Sequence, residues 1–159
     1  MLAVSLLIFT MMALTRANNS SEVLSINERG PCPNNWDHYE GRCFHFVPRP
    51  LTWAKAQSNC QSMGANLASI HSIEENHKIR SIIEANAVML ENTWIGGSDC
   101  QSVGSWFWID GTPFNFQEWC GDPRPSPGQN CIRINSGGKC WDNLNCFFGL
   151  ESMCVKPAN

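Results

Sequence analysis

Nine cysteines, all between Cys32 and Cys154, constrain this chain of 159 residues more than any other feature. So dense a set in so short a chain points to bridges or to bound metal. No Cys-x-x-Cys pair occurs, and no histidine stands at finger spacing from a cysteine pair. That argues against zinc and for a disulfide framework built in an oxidising compartment. Spacing does not settle the connectivity, since eight cysteines alone allow about 105 pairings, and an odd number leaves one over.

The N-terminus agrees with that compartment. Residues 1–14 form a mostly apolar run, too short for the roughly 20 apolar residues of a spanning helix. Thr15 and Ala17 occupy the −3 and −1 positions of a small-x-small cleavage site. The run reads as a signal peptide, residues 1–17, cut after Ala17, and the mature protein as secreted, soluble and not bound to a membrane. Its n-region carries only the α-amino group as a positive charge. Asn18 and Asn19 each begin a glycosylation sequon beside the cut. Residues 18–31 are polar without a period and read as a flexible segment. The net charge of −3, without a basic cluster, argues against nucleic acid as a partner.

The domain begins at Cys32-Pro33. Residues 42–47 alternate and are aromatic, as a strand requires, and Pro48 and Pro50 are expected to end it. A first helix is expected over 52–63, capped by Thr52 and stopped by Gly64, with Trp53, Ala56, Cys60 and Met63 on one face. A second is expected over 72–83. There Ser72-Ile73-Glu74-Glu75 forms a capping box and Ile79, Ile82 and Ile83 give the buried face. From Thr93 onward the pattern changes to short strands at 94–95, 106–108, 131–134, 139–141 and 152–155. Gly96-Gly97, 111–113, 121–128 and 137–138 lie between them as loops. Two helices followed by short strands give an α+β class.

The ordered motifs resemble the C-type lectin-like domain over residues 32–156. Cys32-Pro33…Trp36…Gly41-Arg42-Cys43 is similar to its N-terminal hairpin, and Trp53-Ala54…Ala56…Cys60 to its first helix. The segments 64–75, Trp94-Ile95-Gly96-Gly97 and 107–113 are similar to its central motifs, and Cys131, Trp141, Cys146 and Cys154 close the pattern. Gly97-Ser98-Asp99-Cys100, Trp119-Cys120 and Lys139-Cys140-Trp141 add three cysteines that ordinary lectin domains lack. With the leader and the tail 155–158, they resemble the fish type II antifreeze, or ice-structuring, branch. The resemblance implies one domain with two helices, short antiparallel sheets and a long disulfide-braced loop region. It implies the pairs Cys32–Cys43, Cys60–Cys154, Cys120–Cys140 and Cys131–Cys146. Cys100 is left unpaired, because its partner position in that branch is Asn130 here. The missing bridge is expected to loosen the Cys100 loop from the Asn130 region. The lone thiol implies a mostly monomeric protein with some Cys100-linked dimer.

The resemblance also places a candidate site. Lectins of this family hold sugar through calcium, a hard cation with about 6–8 oxygen ligands. Here either Asp122-Pro123-Arg124 or Arg124-Pro125-Ser126 stands in for the family's loop triplet, whose proline is cis. Gln129 replaces a glutamate, and Asp142-Asn143 inverts the last pair of a Trp-Asn-Asp strand end. Asp122, Arg124, Gln129, Asp142 and Asn143 are thus the candidate ice or sugar region. Gln129, Asp142 and Asn143 would form a weak or vestigial calcium site, so the cofactor is none or loosely held calcium. Asp142 and Asn143 equally suit a turn cap. The seven tryptophans are read as core, and Phe147-Phe148 as an exposed apolar pair. His38, His45, His71 and His77 have no nucleophile motif beside them, so an enzyme is not expected, and His71 and His77 read as surface positions of the second-helix region. The partner is ice, through a fairly flat and partly apolar surface, or a glycan.

Overall fold

A computed structural model describes residues 30–87, 92–122, 127–136 and 139–159. The leader, the sequons and the prolines at 123 and 125 lie outside the described residues, as does nearly all of segment 18–31. The elements run β1 (Asp37–Tyr39), β2 (Arg42–Leu51), α1 (Trp53–Ser62), β3 (Asn66–Leu67), α2 (Ile73–Asn86), β4 (Thr93–Ser98), β5 (Phe107–Trp108), β6 (Cys131–Ser136), β7 (Cys140–Leu144) and β8 (Leu150–Pro157). One mixed sheet collects the strands in the order β1-β2-β8-β4-β6-β7, with β3 on β8 and β5 on β4. The pairs are antiparallel except β4 with β8, which is parallel. The two helices and this sheet make the α+β architecture.

Both helices form where the periodicity places them, but their ends differ. Thr52 occupies the cap of α1 without a side-chain hydrogen bond, and only its carbonyl serves the helix, accepting from Ala56 N at 2.8 Å. Gly64, at φ 67°, turns the chain out while Gly64 N and Ala65 N return to the carbonyls of Gln61 and Cys60. In α2 the Ser72 hydroxyl accepts from Glu75 N at 3.1 Å. The Glu75 carboxylate reaches one residue further back than a capping box requires and accepts from His71 N at 2.7 Å. Glu75 is only 5% exposed, and its other oxygen pairs with Arg42 of β2. The pair replaces water with charge-assisted hydrogen bonds and ties α2 to the sheet. α2 runs three residues beyond the expected Ile83, because Ile82 and Ile83 dock on the core and carry the next turn with them. His77 is exposed, whereas His71 precedes α2 and is half-buried, its Nε2 3.1 Å from Ser69 Oγ.

Two strand expectations are corrected. Pro48 and Pro50 do not end β2, which continues to Leu51. The register against β8 slips between Val47 and Leu51, so the prolines occupy the stretch where ladder donors are not needed. Gly96 and Gly97 are not a loop but the middle of β4. A Cβ on Gly96 would lie 2.5 Å from the Leu67 carbonyl oxygen, and one on Gly97 2.2 Å from Ile132 Cδ1. The strand packs too closely for side chains there. β3 was not anticipated, since two residues carry no period.

The core lies on both sides of the sheet. One cluster joins Phe44, Ile70, Ile79, Ile83, Ile95, Ile132, Ile134 and Met153 around Trp108 and Trp141. The other joins Ala56, Leu67, Trp94 and Cys154, with Trp53 and Trp36 at its margin. Each such large apolar side chain contributes about 1.5–3 kcal/mol on full burial. Trp141 is the hub: Trp108, Phe116 and Trp119 meet it edge-on at 5.5, 5.6 and 6.0 Å, and its Nε1 donates to Asn76 at 2.8 Å. The tryptophans therefore build the core and its edges. Four bridges join the pairs implied by the resemblance: Cys32–Cys43, Cys60–Cys154, Cys120–Cys140 and Cys131–Cys146. Cys100 is a free, exposed cysteine. Among the described residues no helix is long and apolar enough to cross a membrane.

Candidate functional site

The β6–β7 hairpin positions the centre of the candidate region. Alternation sends Ile132, Ile134 and Trp141 into the core and leaves Arg133 and Asp142 outward. The register sets Arg133 directly opposite Asp142, and Arg133 Nη2 donates to Asp142 Oδ2 at 2.8 Å. Asp142 Oδ1 accepts from Asn143 N at 2.9 Å. Ile132 faces Asn143, whose Nδ2 donates to the Gln129 carbonyl at 3.0 Å. The structure thus brings Gln129, Asp142 and Asn143 together and adds Arg133, which sequence reasoning missed. The signal for Arg133 was its place two residues after Cys131, but its meaning depends on the hairpin register.

The remaining candidates are less central. Asp122 is exposed after Cys120 and, among the described residues, makes no hydrogen bond to Gln129, Asp142 or Asn143. Arg124 lies outside the described residues. The Cys120 segment is clamped along β7: Cys120 N donates to the Trp141 carbonyl at 2.8 Å, and Trp141 N to the Glu118 carbonyl at 2.7 Å. The Cys120–Cys140 bridge joins the same two segments covalently, beside the Trp119–Trp141 ring contact at 6.0 Å.

These residues fit a calcium ion poorly. A hard divalent ion needs several free oxygens, with carboxylates foremost. Asp142 gives one oxygen to a guanidinium and the other to a backbone amide. Gln129 and Asn143 carry no charge, so beside Asp142 they add no second carboxylate, and Asn143 donates its Nδ2 to the Gln129 carbonyl. A cation entering here would meet the opposing charge of Arg133, whose Nη2 lies 2.8 Å from the Asp142 carboxylate.

On the other side of Cys131 the rim is built by polar and apolar groups together. Asp99, buried, accepts from Asn130 Nδ2 at 2.7 Å and from Gly104 N at 2.8 Å, and Asp99 N donates to the Asn130 carbonyl at 3.1 Å. The Cys100 loop is therefore tied to Asn130 by hydrogen bonds where the resemblance puts a bridge. After β7, Phe147 N donates to Asn145 Oδ1 at 2.9 Å and Phe148 N to the Asn145 carbonyl at 3.2 Å. This turn holds Phe147 and Phe148 outward, 84% and 57% exposed. The arrangement sets amide groups, an internal ion pair and two exposed aromatic rings along this part of the domain.

Comparisons with known proteins place this geometry. The family model for the lectin C-type domain matches residues 49–156. The chain is 43% identical to a type-2 ice-structuring protein of Osmerus mordax, over 97% of this chain and 91% of that one. It is 38% identical to the galactose-specific lectin nattectin of Thalassophryne nattereri, over 79% of this chain and 80% of the relative. Among solved structures it is similar to a calcium-independent type II antifreeze protein, with TM-score 0.74 and 38% identity over 80% of this chain and 95% of that one. It is as similar to a Ca2+-dependent type II antifreeze protein in its Ca2+-free form, with TM-score 0.73 and 39% identity over 79% and 99%.

Proposed function

The chain belongs to the C-type lectin domain family, and on that premise we propose that it is a secreted, non-enzymatic protein that adsorbs to ice without calcium. Residues 32–156 form the binding domain. Likeness to ice-structuring proteins along nearly the whole chain supports the ligand class. Independence from calcium rests on one observation: the carboxylate of Asp142 is already neutralised by Arg133 at 2.8 Å. The adsorbing surface extends from Gln129 and Asn143 to Phe147 and Phe148, where partly apolar area and hydrogen-bonding groups adjoin.

The second reading is a soluble lectin that recognises sugars, favoured by the likeness to nattectin. Fold does not decide between them, because one scaffold carries many binding surfaces. Thermal hysteresis and glycan-array binding of the purified protein, each with calcium and with chelator, separate the two. Hysteresis that survives chelator is the expected result. Sugar binding without hysteresis would replace the proposal with the lectin reading.

A further inference from the structure

Three cysteines from separate elements converge beside the candidate region. Cys100 follows β4, Cys131 opens β6 and Cys146 follows β7. Their sulfurs all lie within 4.8 Å of one another, and the free Cys100 Sγ is 3.9 Å from Cys146 Sγ. Cys131 and Cys146 are bridged, Cys131 being fully buried and Cys146 half-exposed, while Cys100 is exposed. The approach of Cys100 is held on both sides. Cys100 N donates to Ser98 Oγ at 3.1 Å, and Asp99 is fastened to Asn130, the neighbour of Cys131.

We propose that these residues form an internal disulfide-exchange unit, in which Cys146 is bonded alternately to Cys131 and to Cys100. The Cys100 thiolate attacks Cys146 Sγ, and its electron pair makes the new sulfur–sulfur bond. The Cys131–Cys146 bond breaks, its electron pair leaves with Cys131, and that sulfur takes up the proton that Cys100 gave to solvent. One bridge and one thiol exist before and after, so no oxidant or reductant is consumed. With all three sulfurs mutually close, the Cys100 thiol flanks the existing bond. Displacement needs approach along the bond axis, so Cys100 must swing, and its exposure gives it room.

Exchange would move the tie on the Phe147–Phe148 turn. In one state the turn is fastened to β6, and in the other to the turn after β4. The released Cys131 stays in the core beside Leu67, Trp94 and Cys154, where a thiol packs as a small apolar group. The two states therefore present the aromatic pair from different anchors without unfolding the sheet.

The test is a disulfide map of the purified full chain, held at low concentration with a trace of reduced glutathione, then quenched in acid and alkylated. Linked peptides for both Cys131–Cys146 and Cys100–Cys146 are expected, with alkylated Cys131 rising as the second linkage rises. Cys100→Ser should remove the alkylation of Cys131. Cys131→Ser should give a monomer whose Cys100 and Cys146 are bridged. A wild-type map with Cys131–Cys146 alone, and with the label confined to Cys100, overturns the proposal whether or not the Cys131→Ser variant folds.

Discussion

Asp99 and Asn130 are joined by two hydrogen bonds, Asp99 N to the Asn130 carbonyl at 3.1 Å and Asn130 Nδ2 to Asp99 Oδ1 at 2.7 Å. Asp99 is 1% exposed, so its carboxylate depends on such partners. The contact ties the loop after β4 to the start of β6, the same place at which a covalent bridge would act. Asn130→Ala should therefore destabilise the protein by about 1–3 kcal/mol, the cost of leaving a buried acceptor unpaired. Asn130→Cys should bridge to Cys100 and stay monomeric. Its gain should fall short of the about 3 kcal/mol usual for a loop of that size, because Asp99 loses the amide. Urea unfolding measures both, and an Asn130→Ala variant as stable as wild type would remove the contact from the account.

Cys100 is free and exposed, so its thiol can meet other copies of the chain. A minor disulfide-linked dimer should appear on non-reducing gels, increase with protein concentration and vanish in Cys100→Ser. A dimer that survives that substitution would assign the link to another cysteine.

Calcium should leave thermal stability unchanged. Stabilisation by a ligand that binds only the folded state follows RT ln(1 + [L]/Kd), which is below about 0.1 kcal/mol when Kd is ten times the ion concentration. With Arg133 on Asp142, millimolar calcium should not move the Tm. A rise reversed by chelator would show that the ion displaces Arg133, and would bring the lectin reading forward.

Ice adsorption should persist in chelator, and Asp142→Asn should change hysteresis little. Phe147→Ser should lower hysteresis while leaving the Tm near wild type, since a side chain 84% exposed contributes little to packing. Equal hysteresis in wild type and Phe147→Ser would place the adsorbing surface elsewhere on the domain.

Gly96→Ala should be more damaging than Gly97→Ala. The new methyl at Gly96 meets the Leu67 carbonyl, which is backbone, whereas at Gly97 it meets the Ile132 side chain from Cδ1 back to Cβ, of which a change of rotamer can move Cδ1 and Cγ1. Overpacking of this kind costs about 1–3 kcal/mol, with the upper end expected where the backbone must move. Chemical denaturation of the two variants gives the order, and a reversed order would mean that Ile132 is the stiffer neighbour.

The helices were legible because period and punctuation agree locally. Ala56 and Cys60, Ile79 and Ile83, Ser72 and Gly64 each carry a signal within one or two turns. The limits of β2 and β4 were not legible, because they depend on partners far away in sequence. Pro48 and Pro50 fit a strand only where the β8 ladder slips, and Gly96-Gly97 belong to a strand only because Leu67 and Ile132 press on it. The site shows the same division. Asp142, Asn143 and Gln129 stood out by motif, but Arg133 gains its role only from the β6–β7 register. The resemblance set the Cys100 loop against Asn130, but no pattern announced that Asp99 would make the contact.

β8 lies in the interior of the sheet, between β2 and β4, although it is the strand that leaves the ribosome after all of its partners. The nascent protein cannot close its sheet while earlier segments emerge, and Cys60 waits 94 residues for Cys154. Of Cys32, Cys43 and Cys60, the three cysteines made first, only Cys32 and Cys43 have their partner close at hand during that interval. Correct pairing therefore requires Cys60 to stay free, or to leave a wrong bond by thiol–disulfide exchange, until synthesis reaches β8.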